Sequence, residues 1–122
     1  MNPLPPLIHF ESAVPLPRFQ TKAGEQAIDP KRIVYLSAQG NYTLFHLENG
    51  EQVVTSLSLS SYACLLEKHG FLRLHKSHLL NLHYLGQCIM QRFMFLILPG
   101  GQTIEIARRR RKTLKKILKG NK

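Results

Sequence analysis

Apolar and polar residues alternate along most of the chain between residues 32 and 106, with the period of two that is typical of half-buried β-strands. The segments with this pattern are RIVYL (residues 32–36), YTLFHL (42–47), QVVT, FLRLH, HLLNL, YLGQCIMQ, FMFLIL and TIEIA. Turn residues separate them: SAQGN predicts a loop, Asn49-Gly50 predicts a hairpin, and PGGQ predicts a turn before TIEIA. The pattern therefore predicts a mainly antiparallel β protein.

Two segments have a helical period instead. The first predicts an amphipathic helix over residues 57–68, with Ser56 or Ser58 as the N-cap and Gly70 as the stop. Its apolar stripe consists of Leu59, Tyr62, Ala63 and Leu66. The second is a short basic C-terminal helix over residues 108–119, whose apolar stripe consists of Leu114, Ile117 and Leu118. We expect one inserted helix and one terminal helix in an elongated antiparallel β-sheet assembly.

The two ends of the chain differ from its middle. Five of the seven prolines lie within the first 17 residues, which predicts an irregular N-terminal arm over residues 1–17. An edge strand is expected around residues 18–22, and the most regular part of the domain begins near Ile28. We therefore expect the arm, a folded domain over residues 18–119, and a basic tail over residues 120–122.

Charge narrows the choice of partner. The 122 residues suit one domain, and 17 Lys/Arg against 7 Asp/Glu give a formal charge of +10 and a pI near 10.1. Residues 108–122 carry nine of these cations and no acid. Such an excess indicates a polyanionic partner, either nucleic acid or an anionic membrane surface.

Cysteine usage and hydropathy indicate the compartment. Cys64 and Cys88 are the only cysteines, which excludes a disulfide-rich scaffold and fits a reducing cytoplasm. We expect Cys64 on the core side of the first helix, as a small hydrophobe and not a nucleophile. The sequence contains no apolar run of the ~20 residues that span a bilayer, and its start lacks the features of a secretion signal. We expect a cytoplasmic protein.

Residues for catalysis or metal binding are scarce. LPGGQT is not followed by the Lys-Ser/Thr of a phosphate-binding loop, and the seven acids are scattered singly. His75 and His78 lie three apart in a strand-turn-strand segment, and no cysteine or acid nearby would complete a metal site. We expect neither an enzyme nor a metal, cofactor or small-molecule substrate.

Three segments together resemble a known family. IVYLSAQGNYTLFHLENG, FLRLHKSHLLN and IEIARRRRKTLKKIL occur in the order and at the spacings of the LytTR DNA-binding domain of bacterial transcription regulators. The resemblance covers roughly residues 28–118. In the middle block the matching residues are Phe71, Arg73, His75, Lys76, Ser77 and Asn81. Ala107 stands where the family commonly has serine, and His78 where it has an aromatic residue.

The resemblance implies a fold, a partner and a site. Family members are elongated β-β-β sandwiches that insert loops into successive major grooves of duplex DNA, commonly at direct repeats. Carried over position by position, Asn41, Lys76 and Arg109 are the expected base contacts, and their chemistry agrees, because Lys and Arg suit guanine and Asn suits adenine. Residues expected to contact the DNA backbone or support the loops are Tyr42, Arg73, His75, Ser77, Arg108, Arg110, Arg111, Lys112 and Lys116.

Helical geometry predicts which Lys and Arg side chains of the last segment point to solvent and which lie beside its apolar stripe. If residues 108–119 are helical, Arg109, Lys112 and Lys116 point away from the apolar stripe. Arg110 and Arg111 flank that stripe, where they suit packing or pairing with an acid such as Glu105.

Several of these residues also have a structural interpretation. Asn41 is a possible turn residue, Arg73 a strand residue whose stem covers apolar surface, and Asn81 an internal hydrogen-bonder. His46 and His83 are expected on the surface of strands. The arginine run is alternatively a solvated tail.

Three rival functions remain at this point. A small basic β module could bind RNA, although Tyr42 and Phe45 should face opposite sides of a strand and form no shared stacking platform. The chain could instead pair with a regulatory protein or a membrane inhibitor, and this role is compatible with DNA binding. A membrane-surface role for the tail would rest on only three apolar residues. The sequence does not include a receiver domain, so we expect a stand-alone module in which phosphorylation control cannot be assumed.

Overall fold

The computed structural model describes residues 16–120, and within that range it contains ten β-strands and two α-helices. The strands are β1 (Arg18–Thr21), β2 (Gly24–Ala27), β3 (Ile33–Gln39), β4 (Tyr42–Leu47), β5 (Gln52–Thr55), β6 (Phe71–His75), β7 (His78–Asn81), β8 (Ile89–Gln91), β9 (Phe95–Ile97) and β10 (Thr103–Glu105). The helices are α1 (Leu59–Leu66) and α2 (Arg108–Gly120), and short 3-10 turns span Pro30–Arg32, Glu67–His69 and Leu82–Gln87.

The strands form two sheets in which every pair is antiparallel. The larger sheet has seven strands in the order β2-β1-β5-β4-β3-β7-β6, and the smaller has three in the order β10-β9-β8. The predicted fold class, a mainly β antiparallel assembly with one inserted helix and one basic terminal helix, is confirmed.

Apolar residues on both faces of the larger sheet build two cores. One core lies under α1 and includes Leu36, Phe45, Tyr62 and Leu79, while the other lies under the smaller sheet and α2 and includes Tyr35 and Leu80. Successive strand residues point to opposite faces, so adjacent apolar residues such as Leu79 and Leu80 serve different cores. This arrangement explains why HLLNL is apolar at consecutive positions.

Helix α1 has the capping residues that the sequence predicts, but it is shorter than the predicted 57–68. The Ser58 side chain accepts a hydrogen bond from the Ser61 backbone N–H, and Gly70 ends the following 3-10 turn at a φ of 85°. The prediction that Cys64 faces the core is wrong, because this residue is exposed. Cys64 lies two positions after the buried Tyr62, which turns its side chain ~200° around the helix.

Several strand boundaries differ from the prediction. The SAQ part of SAQGN continues β3, and the turn is reduced to Gly40 and Asn41. β1 is not an edge strand, because β2 pairs with it and forms the edge of the sheet. β2 has the sequence GEQA, whose residues have low β-propensity, so the pattern before Ile28 gave no sign of it. FMFLIL is a strand only over Phe95–Ile97.

The segment YLGQCIMQ is mostly not a strand. Its first part belongs to the 3-10 turn Leu82–Gln87, which the Asn81 side chain caps by accepting a hydrogen bond from the His83 N–H. Only Ile89–Gln91 is extended. His83 therefore lies in this turn and not on a strand surface, which corrects the prediction for that residue.

Helix α2 packs on the sheets through Leu114, which is fully buried, with Leu118 partly buried beside it. The helix includes Gly120, which the sequence assigned to the tail. The rest of that tail and almost all of the predicted arm (residues 1–15) lie outside the described residues. In the described range, no helix is long and apolar enough to cross a membrane.

Candidate nucleic-acid interface

Loops that are distant in sequence meet at one edge of the two sheets. The β3–β4 turn (Gly40, Asn41) lies beside the β6–β7 turn (Lys76, Ser77), because the Ala38 N–H donates to the Ser77 carbonyl at 2.9 Å. The start of α2 lies beside β6, because the Ala107 N–H donates to the Leu74 carbonyl at 2.7 Å. Each of the three segments that resemble the family motifs therefore contributes a turn or a helix start to the same edge.

Two adjoining depressions connect the side chains at this edge. One, with a volume of about 390 Å³, is lined by Asn41, Tyr42, Arg73 and Lys76 among others. The second, of about 350 Å³, is lined by Arg73, His75, Lys76, Ala107, Arg109 and Arg110. Arg73 and Lys76 belong to both, so the lining forms one continuous surface, which we call the basic edge.

Acidic residues lie mainly away from the basic edge. Asp29, Glu48 and Glu51 lie at the other end of β3 and β4, where Arg32 forms ion pairs of 3.2 and 4.0 Å with the two glutamates. Two acids lie nearer to it, and each has a partner: Glu25, next to the β1–β2 turn, forms an ion pair of 3.2 Å with Arg18, and Glu105 approaches the basic edge through His75. The separation concentrates uncompensated positive charge where the loops meet.

The Arg73 side chain is engaged within the protein. Its Nε donates to the His75 carbonyl at 3.1 Å, and its two terminal nitrogens donate to the Ser60 hydroxyl and the Lys76 carbonyl. The guanidinium group therefore ties α1 to the turn that carries Lys76. The Arg73 pKa is lowered by burial and by the nearby Arg110.

His75 supports the same turn from the other side. Its Nδ1 accepts a hydrogen bond from the Ser77 N–H at 3.2 Å, and its Nε2 lies 3.7 Å from a Glu105 carboxylate oxygen. Of the two alternatives for Arg110 and Arg111, their partial burial agrees with packing, whereas Glu105 reaches His75 across the junction between the sheets. The Arg111 Nε instead donates to the Ile106 carbonyl at 3.3 Å.

The cations of α2 are oriented as the helical geometry predicts. Arg109, Lys112 and Lys116 are exposed, whereas Arg110 and Arg111 are partly buried beside the apolar stripe. Arg108 is also exposed at the first position of the helix. The basic edge therefore continues along the solvent side of α2.

A row of aromatic and imidazole rings lies in the larger sheet behind the basic edge. The ring of His46 stacks on Tyr35 with centroids 4.0 Å apart, and its Nε2 lies 2.8 Å from the Ser37 hydroxyl. Burial, with a smaller effect of His78, lowers the pKa of His46 to about 4. Burial and the neighbouring His75 likewise lower the pKa of His78. His46 is half-buried, not a simple surface residue as predicted, because the smaller sheet covers this face.

Asn81 lies inside the protein, away from the basic edge. Its side chain is 3% exposed, and its amide nitrogen donates to the Pro30 and Ile33 carbonyls at 3.2 and 2.9 Å. These contacts agree with the interpretation of Asn81 as an internal hydrogen-bonder.

The structure adds residues that the sequence analysis missed. Ser58 and Ser60 line the depression beside Asn41, and Lys22 lines a further depression with Asn41 and Tyr42. Lys22 reaches this position because its N–H donates to the Val54 carbonyl, which holds the β1–β2 turn against the end of β5. A single lysine or serine in a turn carries no pattern that would distinguish it in the sequence.

In the described part of the chain, no group of three or more His, Cys, Asp or Glu side chains is arranged to hold a metal ion. Tyr42 is 45% exposed while Phe45 is fully buried, so the two rings do not form a shared stacking surface.

A comparison with models of known protein families identifies the family of the chain. The model of the LytTr DNA-binding domain matches residues 26–119, which is most of the chain. The chain belongs to the LytTR DNA-binding domain family. The expected resemblance is thus confirmed, and the LytTR domain is a DNA-binding fold and not a catalytic one.

A solved structure supports the LytTR fold. It is the LytTr DNA-binding domain of a Bacillus cereus protein described as a methyl-accepting/DNA response regulator, with a TM-score of 0.68 and 20% sequence identity. The alignment covers 86% of this chain and 97% of that one. None of the curated proteins matches the chain.

Proposed function

We propose that this LytTR domain is a sequence-specific regulator of transcription that contacts major-groove bases of duplex DNA through its basic edge. The observation that carries the proposal is the meeting of three loops on one surface, which presents Asn41, Lys76 and Arg109 together. A single loop could reach only a few bases, whereas adjacent loops can follow successive contacts along a groove.

The side chains divide into those that contact bases and those that position them. Lys76 and Arg109 suit the guanine O6 and N7 acceptors, and Asn41 suits the N6 and N7 of adenine. Tyr42, Arg108, Lys112 and Lys116 are exposed and suit phosphate contacts, which give affinity without sequence information.

Arg73, His75 and Ser77 act as positioning residues in this proposal. The Arg73 guanidinium and the His75 imidazole both bond to the turn that carries Lys76. A preorganised turn binds more tightly because less conformational entropy is lost when it meets the DNA. Arg110 and Arg111 support the start of α2, where Arg111 bonds to the Ile106 carbonyl.

The arrangement of loops also suggests the layout of the target. One chain presents an unsymmetrical series of loops, so two copies that bind side by side in one orientation require two half-sites in the same orientation. We expect direct repeats. An inverted palindrome bound by a dimer that is stable in free solution would contradict this arrangement.

Selection of bound sequences from random duplex DNA tests the proposal. We expect enrichment of a motif that occurs twice in one orientation, and competition by this duplex at far lower concentration than by single-stranded RNA or anionic lipid vesicles. RNA or vesicles that compete as well as the selected duplex would show that the basic edge is a general polyanion surface. The proposed function would then be wrong.

A further inference from the structure

The β8–β9 turn has an unusual backbone. Arg92 and Phe93 have φ values of 55° and 57°, and among the described residues they are the two non-glycine residues with positive φ. Gln91 pairs with Phe95, and within the three-residue connection the Met94 N–H donates to the Gln91 carbonyl at 2.9 Å, which closes a β-turn whose two central residues are Arg92 and Phe93. Such turns normally use Asn and Gly, because side chains with a Cβ are strained in the left-handed region. Strain of this kind is concentrated at functional sites.

This turn lies at the same end of the sheets as the basic edge. Phe95, which follows the turn, pairs with Glu105 at the end of β10, and the Ile106 N–H donates to the Met94 carbonyl at 2.8 Å. Glu105 in turn lies beside His75, next to Lys76. The β8–β9 turn therefore lies at the same edge as the β3–β4 and β6–β7 turns, next to the start of α2.

The strained turn brings together two cations. The Arg92 side chain is exposed to solvent, and the partly buried Phe93 ring lies under Lys115 of α2, with the ammonium nitrogen 5.1 Å from the ring centroid. This cation–π contact holds Lys115 close to the turn. Lys115 lies seven residues after Arg108 and so on the same side of the helix.

We propose that the β8–β9 turn is a further DNA contact, in which Arg92, assisted by Lys115, binds the phosphate backbone next to the groove that receives the start of α2. The inference rests on the proposed function and extends it, because neither the family motifs nor the two depressions include this turn. Arg92 has no described acid partner, and a guanidinium group binds phosphate oxygens with two parallel hydrogen bonds. The strained backbone would be retained because it points Arg92 outward while Phe93 packs beneath Lys115.

Salt dependence of binding by Arg92→Gln tests the inference. Loss of one phosphate contact should lower the slope of log K against log salt by about 0.9, for the preferred and the scrambled duplex alike. The ratio of wild-type to variant affinity should therefore shrink about threefold between 50 and 200 mM salt. Arg92→Gly should lose the same phosphate contact, and glycine adopts the positive φ of this position without strain. A loss of affinity in this variant therefore cannot be explained by a destabilised turn.

Lys31→Gln is the matched control, because Lys31 is exposed at the opposite end of β3 and should leave the slope unchanged. Unchanged slopes in both Arg92 variants, with a wild-type chain that binds duplex DNA and depends on salt, would overturn the inference alone. A wild-type chain without duplex affinity would refute the proposed function and the inference together.

Discussion

Lys76 and Arg109 differ from Lys116 in where their charges lie. The first two line the depression at the meeting point of the loops, whereas Lys116 lies two turns along the solvent side of α2. Lys76→Ala and Arg109→Ala should each cost about 1–3 kcal/mol at the preferred site and relax the preference at one or two base positions. Lys116→Ala should instead weaken binding to every sequence alike.

Affinities for preferred and scrambled duplexes, measured for each variant, separate these two effects. Equal losses on both duplexes for Lys76→Ala and Arg109→Ala would identify them as phosphate contacts and contradict their assignment to bases. A circular-dichroism melt of each variant is the control for folding, and it should be unchanged because none of the three residues lies in the apolar cores.

The same residues show what one sequence can predict at this scale. The outward orientation of Arg109, Lys112 and Lys116 follows from helical geometry and is confirmed. The contact of Glu105 with His75 was missed, because it joins residues 30 positions apart whose strands belong to different sheets. The exposure of Cys64 was also missed, although residues two positions apart on a helix point in nearly opposite directions and Tyr62 is buried.

At the scale of elements, His46 on β4 and His78 on β7 have pKa values that are lowered by burial. An unfolded histidine has a pKa near 6.5, whereas that of His46 in the fold is about 4. Between these values the unfolded chain binds more protons, so the free energy of unfolding should fall as the pH drops from 6.5 towards 4. Above pH 6.5 this contribution should be constant. The lowered pKa of His78 acts in the same direction.

Urea unfolding of wild type and His46→Gln at pH 7 and pH 4.5 measures this effect. Because the imidazole is only half-buried, solvent reduces the expected difference to on the order of 1–2 kcal/mol of extra loss in the wild type. His83→Gln, in an exposed position, is the control and should follow the wild type. An identical loss of stability in wild type and His46→Gln would contradict the account of His46.

The elements themselves were predictable to different degrees. Alternation identified β3 to β7, because each of these strands buries at least one face against a core. It failed for β2, which is a short polar edge strand, and for Leu82–Gln87, where an apolar segment is turned by the Asn81 cap. The hydrogen bond from the His83 N–H to the Asn81 side chain stabilises that turn, and the spacing of apolar residues gives no information about such a bond.

For the molecule as a whole, charge is divided between two edges. The acids Asp29, Glu48 and Glu51 lie opposite the basic edge, so DNA that approaches this edge meets little compensating negative charge. If on the order of five phosphates are neutralised, log K against log salt should have a slope of about −4 to −5. Affinity measured over a range of salt gives this slope, and a value near zero would contradict the electrostatic account.

Much of the architecture and of the candidate site could be predicted at this scale, since three motifs in family order identify the LytTR fold. The motifs did not indicate Lys22 or the β8–β9 turn as neighbours of the site. Lys22 is held near the basic edge by its hydrogen bond to Val54, and the β8–β9 turn by the hydrogen bond between Ile106 and Met94 and by the contact of Phe93 with Lys115. The apolar and polar pattern of a single sequence does not record such contacts.

Titration of isotope-labelled protein with duplex DNA, followed through its backbone amide resonances, tests most directly whether the basic edge is the DNA-binding surface. The largest shifts should occur at the Gly40–Asn41 turn, the Lys76–Ser77 turn and the start of α2. The hairpins around Gly50 and Gly101, at the opposite edge, should not change. Shifts centred on those opposite hairpins, with the Lys76–Ser77 turn unaffected, would contradict the account.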